Sequence, residues 1–260
     1  MKEKMYRKLV ELSNGKKSSH LLKKISTAKF SKAIIPSYIK AFNIDVSDVS
    51  KEQKEFENLH QFFVRELKEN ARPIDSAGHI FVSPVDAKIE SFGTIEDNMT
   101  FSVKGKQYAI TDLLGSEEQA KNYAHGKYIV FYLSPADYHR MHAPMDGAVS
   151  KQYVLGQKSY PVNQMGLTYG RQPLSHNYRM ISEITYTQSQ RYAFIKVGAM
   201  FVNSIELTNT TAAWKKGEEV GYFTFGSTVV MLFENDAIEF LPKVIQGAAI
   251  KMGEAFASMV

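Results

Sequence analysis

The sequence predicts an α+β protein in which a basic, helical N-terminal region, residues 1–70, precedes a mostly antiparallel, strand-rich domain, residues 71–260. Apolar residues recur at helical spacing as far as Phe63, and after Arg72-Pro73 the texture changes to short β-branched and aromatic runs divided by Gly, Pro and Asn. No long helical pattern separates those runs. Parallel strands need a crossover between them, usually a helix, so strands in direct succession pair antiparallel.

From the N-terminus, Met5, Leu9 and Leu12 line one side of a first helix that Asn14-Gly15 ends. Pro36 and the stretch Asp45 to Ser50 interrupt the helical pattern. Ser47 or Ser50 is placed to cap a later helix that includes Phe56, Leu59 and Phe63. The expected strands are Ile80–Val82, Ala87–Phe92, Tyr128–Leu133, Gly147–Tyr153, Tyr178–Thr187, Tyr192–Val197, Ser204–Thr208, Val220–Phe223 and Thr228–Phe233. The chain shows no internal repeat and no low-complexity tract.

A chain of 260 residues, 44% hydrophobic and 23% charged, has the length and composition to bury a full core. The absence of Cys excludes disulfides, thiolate metal sites and cysteine nucleophiles, and fits a reducing cytosol. No apolar run reaches the ~18 residues of a membrane-spanning helix, and the N-terminus lacks the apolar core of a signal peptide, so neither insertion nor secretion is expected. The net charge of +5 is local: residues 1–40 hold 11 Lys/Arg against Glu3 and Glu11, net +9, leaving −4 for the rest. Each such cation near an anionic bilayer contributes ~1 kcal/mol, and Met5, Tyr6, Leu9, Leu21, Leu22 and Ile25 add shallow apolar contact. The region is therefore expected to lie on an anionic membrane surface. Nucleic-acid binding would use the same charge, but no recognition module is present and no such partner is expected.

The most informative segment is Phe225-Gly226-Ser227-Thr228, because a Gly-Ser bond followed by Thr is a candidate for self-cleavage. A serine hydroxyl is a weak nucleophile that needs a base, usually His, whose tautomer an Asp fixes. Asp86, in Ser83-Pro84-Val85-Asp86, and His139 and His142, after Ser134-Pro135, follow Pro-containing turns beside strands, where a scaffold presents side chains. Asp137 reads as a turn residue. Gly226 lacks a Cβ, which permits close approach of the Ser227 hydroxyl to its carbonyl. Attack there gives an ester; β-elimination releases a chain ending at Gly226 and leaves dehydroalanine, whose hydrolysis yields a pyruvoyl group. Backbone strain of ~1–3 kcal/mol and oxyanion stabilisation of ~3–4 kcal/mol assist the first step. A pyruvoyl carbonyl condenses with an amine and acts as an electron sink without pyridoxal phosphate, which suits decarboxylation of an α-amino acid. His139 or His142 returns the proton.

Two other readings use the same residues. A serine hydrolase would direct the triad at an external acyl group, although its usual nucleophile sits in Gly-x-Ser-x-Gly between a strand and a helix, whereas Ser227 lies between strands. A non-enzymatic β-sandwich carrier would use the hairpin-like Lys216-Gly217-Glu218-Glu219-Val220-Gly221, but Gly226-Ser227-Thr228 offers no lysine for a prosthetic group. His20, His60, His79, His125 and His176 lack ligand-like spacing, so no metal is expected.

Over most of its length the chain resembles the phosphatidylserine decarboxylases of the bacterial single-domain type. The resemblance rests on Phe62-Phe63-Val64-Arg65-Glu66-Leu67 through Arg72-Pro73-Ile74, Ser83-Pro84-Val85-Asp86, Asp137-Tyr138-His139-Arg140-Met141-His142, Ser159-Tyr160-Pro161-Val162-Asn163, Val197-Gly198-Ala199, Lys216-Gly217-Glu218-Glu219-Val220-Gly221 and Phe225-Gly226-Ser227-Thr228. It implies that Asp86, His142 and Ser227 form a self-cleavage triad and that His139 acts on bound substrate. It implies a β chain of residues 1–226, an α chain from a pyruvoyl-modified residue 227, and a substrate loop at Pro161, Val162 and Asn163. It further implies a homodimer, peripheral on the cytoplasmic face of the cell membrane, that converts phosphatidylserine in an anionic membrane to phosphatidylethanolamine. Phe225 replaces the family's commoner Leu. Ala87 stands where the family usually has Gly, which matters if the turn after Asp86 requires a positive φ.

Overall fold

The computed structural model describes residues 24–199, 205–224 and 227–260. The first expected helix lies outside those residues, as do Phe225, Gly226 and Ser204.

In the N-terminal region a 3-10 helix, Lys29–Ile34, runs directly into helix α1, Ile35–Phe42. Pro36 sits in the first turn of α1, where its missing N–H is no loss, so it opens this helix. Asn43, at φ 50°, ends it in the left-handed conformation. The later helix, α2, is confined to Leu59–Phe63. Its cap is Asn58, whose side chain accepts from Gln61 N at 2.9 Å, and neither Ser47 nor Ser50 serves. Glu52 and Glu55 close a separate 3-10 turn over Gln53–Glu55, which leaves Phe56 extended outside α2, edge-on to Phe62 at 5.3 Å.

The strands are β1 (Ile80–Val82), β2 (Ala87–Thr94), β3 (Thr100–Val103), β4 (Lys106–Ala109), β5 (Lys127–Leu133), β6 (Arg140–His142), β7 (Gly147–Leu155), β8 (Arg179–Thr185), β9 (Arg191–Gly198), β10 (Ile205–Leu207), β11 (Ala213–Trp214), β12 (Glu219–Phe223), β13 (Ser227–Phe233), β14 (Ile238–Phe240), β15 (Ala249–Ile250) and β16 (Ala255–Met259). Every expected strand is present within two residues of its expected ends. All pairings between these strands are antiparallel, as the succession of short strands predicts.

An eight-stranded sheet, ordered β11-β7-β8-β9-β13-β5-β2-β15, forms the centre. One face, with Phe131, Leu133, Phe194, Val229 and Met231, packs on residues of the three-stranded sheets β10-β12-β6 and β1-β16-β14, among them Met141, Val220, Phe223, Phe81 and Phe256. The other face, with Val130, Ile195, Val197, Val230 and Leu232, packs on the β3-β4 hairpin and on helices α3 (Ile110–Leu114), α4 (Glu117–Lys121), α5 (Gln164–Tyr169) and α6 (Pro173–His176). β13 lies between β5 and β9 and is buried over its whole length, which explains its nearly unbroken apolar run Val229-Val230-Met231-Leu232-Phe233.

Candidate active site

Ser227 is the first residue of β13, opposite Leu133 of β5 and Gly198 of β9. Strand alternation puts its side chain on the face shared by Leu133, Val229 and Met231, under the sheet that contains β6 and β12. It is fully buried, and its Oγ meets no hydrogen-bond partner among the described residues.

The chain leaves β5 at Leu133 into a turn that Asp137 closes: Ser134 N donates to Asp137 Oδ2 at 2.6 Å, and Asp137 N donates to Ser134 O. Asp137 is thus the turn residue its sequence context suggests. The turn delivers His139, whose carbonyl accepts from Phe223 N of β12, a few residues before Ser227. The His139 ring is fully buried against Phe63. Nδ1 lies 2.8 Å from the Asp137 carbonyl, which only accepts, so Nδ1 carries the proton and Nε2 presents a bare lone pair. Nε2 has no partner among the described residues. Burial, reinforced by the nearby Arg65 cation, pulls the imidazole pKa down to about 3, so His139 rests neutral.

His142 ends β6, paired with Glu219 of β12. Its Nδ1–H donates to Gly217 O at 2.9 Å, and Tyr138 Oη donates to Nε2 at 3.1 Å. Burial holds its pKa below the usual imidazole value. Gly217 is required where it stands: its φ is +81°, and a Cβ would meet Ile74 Cδ1 at 2.1 Å. The same turn carries Lys216, whose Nζ donates to the carbonyls of Ala77 and Ile80 rather than standing free at a tip.

Asp86 enters from the loop before β2, and Pro84 O accepts from His142 N, so both residues line one corner. The Asp86 carboxylate accepts from Arg72 Nε at 2.9 and 3.1 Å, from Arg72 Nη2 at 2.6 Å and from Met252 N at 2.9 Å. Arg72 reaches on to Asp48 at 2.9 Å, tying the N-terminal region to Asp86. Asp86 and His142 are near enough for the carboxylate to favour the imidazolium, but the hydrogen bonds of each go to other groups. Ala87 is not among the positive-φ residues, so Ala fits this turn without strain.

A family model described as phosphatidylserine decarboxylase matches residues 59–258. A phosphatidylserine decarboxylase proenzyme of Bacillus thuringiensis subsp. konkukian (strain 97-27) is 48% identical over 258 residues, covering 99% of this chain and 98% of that protein. A protein of the same name from Bacillus mycoides (strain KBAB4) is 48% identical over 260 residues, covering 100% and 99%. The chain belongs to the phosphatidylserine decarboxylase family.

Within this family member the Pro161–Asn163 loop is anchored firmly. Val162 is buried on the helix-covered face of the sheet, and Asn163 caps α5 by accepting from Gly166 N at 2.9 Å. Asn177 donates to Tyr160 O and to Gly198 O, both at 2.8 Å, fastening the loop to the residue opposite Ser227. Sequence reasoning missed Asn177, Tyr138, Gly217 and Arg72 as site-shaping residues. Arg72, Tyr138 and Gly217 stand inside motifs that carry the family resemblance, whereas Asn177 had no local signal. Among the described residues no three His, Cys, Asp or Glu side chains cluster as metal ligands.

Proposed function

We propose that this chain decarboxylates phosphatidylserine to phosphatidylethanolamine after cutting itself between Gly226 and Ser227 and converting Ser227 to a pyruvoyl group. The observation that carries the proposal is the Ser227 hydroxyl, buried at the head of the central strand without a partner among the described residues. An unsatisfied buried hydroxyl costs ~1–3 kcal/mol, a cost that makes sense for a group consumed by chemistry.

In maturation Ser227 Oγ attacks the Gly226 carbonyl and its proton passes to His142 Nε2, once the Tyr138 hydroxyl has moved off that nitrogen. Asp86 favours the resulting imidazolium, and the Arg72 guanidinium fixes the direction of the Asp86 carboxylate. The ester then loses its α-proton and breaks at the Cβ–O bond, which releases the Gly226 carboxylate; water converts the dehydroalanine with loss of ammonia. The pyruvoyl group supplies an electrophilic carbonyl for the substrate amine and a sink for the electron pair left by CO₂. His139 is suited to move the proton. Neutral at rest, its Nε2 takes a proton from the incoming ammonium and returns one to the α-carbon. The surrounding apolar packing keeps water from the departing carboxylate.

The proposal extends to a homodimer on the cytoplasmic face of the cell membrane. In support, Phe30 is 65% exposed, and Ile25, Ile34 and Phe42 are also exposed, interleaved with Lys24, Lys29, Lys32 and Lys40. Co-sedimentation with phosphatidylserine vesicles tests this: a variant lacking residues 1–40 is expected to remain in the supernatant, and undiminished binding would exclude the membrane role. Light scattering of the purified protein tests the dimer.

Intact-mass spectrometry tests the central claim. Two chains divided after Gly226, the smaller carrying a pyruvoyl group in place of its amine, are expected; a single uncut mass from active protein would refute it.

A further inference from the structure

Arg65 lies where the N-terminal region meets the His139 loop, and neither self-cleavage nor proton transfer uses it. The residue is 4% exposed. Nη2 donates to the carbonyls of Ala136 at 2.7 Å and Asp137 at 3.1 Å, the second being the oxygen that holds His139 Nδ1. Nε and Nη1 meet no acceptor among the described residues, although a guanidinium presents five N–H donors in a fixed plane. Neighbouring carboxylates are committed elsewhere, Asp86 to Arg72 and Met252 N, and Asp137 Oδ2 to Ser134 N. The Phe62 ring, 5.3 Å from the guanidinium carbon, offers only its face. A buried cation with open donors and no ion pair among the described residues is costly unless an anion completes it. Beside it opens a cleft of about 180 Å³ that Arg65 itself lines with Lys51, Gln61, Arg140 and Glu66, the Glu66 carboxylate being paired with Arg140 at 3.2 Å.

We infer that Arg65 binds the phosphodiester of the substrate headgroup and holds it while the serine moiety reaches residue 227. The inference rests on the decarboxylase reading above. Of the substrate's two anions, the carboxylate must shed its charge as CO₂, and a cation fixed on it would stabilise the ground state more than the transition state. The phosphodiester keeps its charge throughout, and its two non-bridging oxygens match the guanidinium fork. The placement also couples binding to proton transfer. The Arg65 field disfavours protonation of His139, and an anion on Arg65 offsets that field, so His139 holds a proton more readily once the headgroup is seated.

The test uses the processed enzyme, sodium cyanoborohydride and two amines, sn-glycero-3-phospho-L-serine and O-methyl-L-serine, with covalent capture read as a mass increase on the chain of residues 227–260. Wild-type enzyme is expected to capture the phosphodiester at a concentration about tenfold lower or more. Arg65→Met should abolish that preference, and Arg65→Lys, which keeps the charge without the fork, should retain part of it. An unchanged preference in either variant overturns the inference, as does failure of both variants to form two chains, which would assign Arg65 to folding. Capture of neither amine by the wild type overturns the decarboxylase reading itself.

Discussion

The ring of Phe63 lies 4.0 Å, centroid to centroid, from the imidazole of His139, tilted by 40°. The contact joins the last residue of α2 to the residue just before β6, so the N-terminal region forms one wall around the histidine. Phe63→Leu keeps an apolar neighbour but opens part of that wall. The His139 pKa should then rise from about 3 toward its ordinary value, moving the acid limb of kcat/KM up by about one pH unit. A pH–rate profile of the processed variant checks this, and an unmoved limb would remove Phe63 from control of the proton carrier.

Burying His139 as a neutral ring also makes the fold acid-sensitive. Above pH 6.5 the imidazole is neutral folded or unfolded and contributes no slope. Below 6.5 the unfolded chain binds the proton while the folded one resists until about pH 3, so stability falls by about 1.4 kcal/mol per pH unit. Urea denaturation of the uncut Ser227→Ala protein at pH 6.5 and pH 5 should show His139→Gln losing about 2 kcal/mol less than its parent. Equal losses would mean that His139 is protonated in the fold.

Substitutions at the candidate catalytic residues should separate cleavage from decarboxylation. Ser227→Ala and His142→Ala are expected to give one uncut chain of about 29.4 kDa by intact mass. His139→Ala should form two chains and then decarboxylate at least ~100-fold more slowly. Tyr138→Phe, which uncovers His142 Nε2, should cut at least as fast as wild type. Slower cutting would make the Tyr138 hydroxyl a proton relay.

Arg72 fills most of the Asp86 carboxylate, and the side chains of both are largely buried. Arg72→Met leaves that carboxylate with Met252 N as its remaining donor among the described residues. Breaking a buried pair in this way costs ~3–5 kcal/mol, and the half-time of cleavage should lengthen along with the loss of stability. Arg72→Lys should recover part of both. Cleavage at the wild-type rate in Arg72→Met would show that Asp86 needs no orientation.

Lys196 is fully buried in β9, its Nζ donating to Ser182 Oγ at 2.6 Å and lying 4.7 Å and 5.5 Å from the ring centroids of Phe194 and Trp214. Burial pulls its pKa down to about 7. Its destabilising effect is full below pH 7 and fades as pH rises toward the unfolded value near 10.5. Lys196→Met should therefore stabilise the protein by ~1–4 kcal/mol at pH 6.5, with the gain shrinking by pH 9.5. A gain independent of pH would mean that packing, not charge, decides this site.

The nine expected strands were legible from their β-branched and aromatic runs, whereas β3, β4 and β16 were not. The run Thr228–Phe233, expected as a strand, forms β13 with Ser227 and is buried along its length between β5 and β9. Helices of four to six residues, such as α3 through α6, span too little chain to display a 3.6-residue period, and the two- and three-residue strands β6, β11, β14 and β15 likewise escape pattern. In the site, Ser227, His139, His142 and Asp86 stood out by residue type and motif. The hydrogen bonds of Asp86 to Arg72 and of His142 to Gly217 depend on side-chain reach across the fold, which no local spacing encodes.

The position of β13 has a consequence for how the matured protein comes apart. Cutting before Ser227 does not release residues 227–260, because β13 is held by β5 and β9, β14 and β16 share a sheet with β1, and β15 pairs with β2. The cut is felt only on unfolding, when two separate polypeptides gain the freedom of independent molecules. An uncut chain would refold as one molecule, with no dependence on dilution. If the chain is cut before Ser227 as proposed, the mature protein must find its own central strand again in solution, so its recovery after heating is expected to depend on concentration and its persistence on the slowness of its opening.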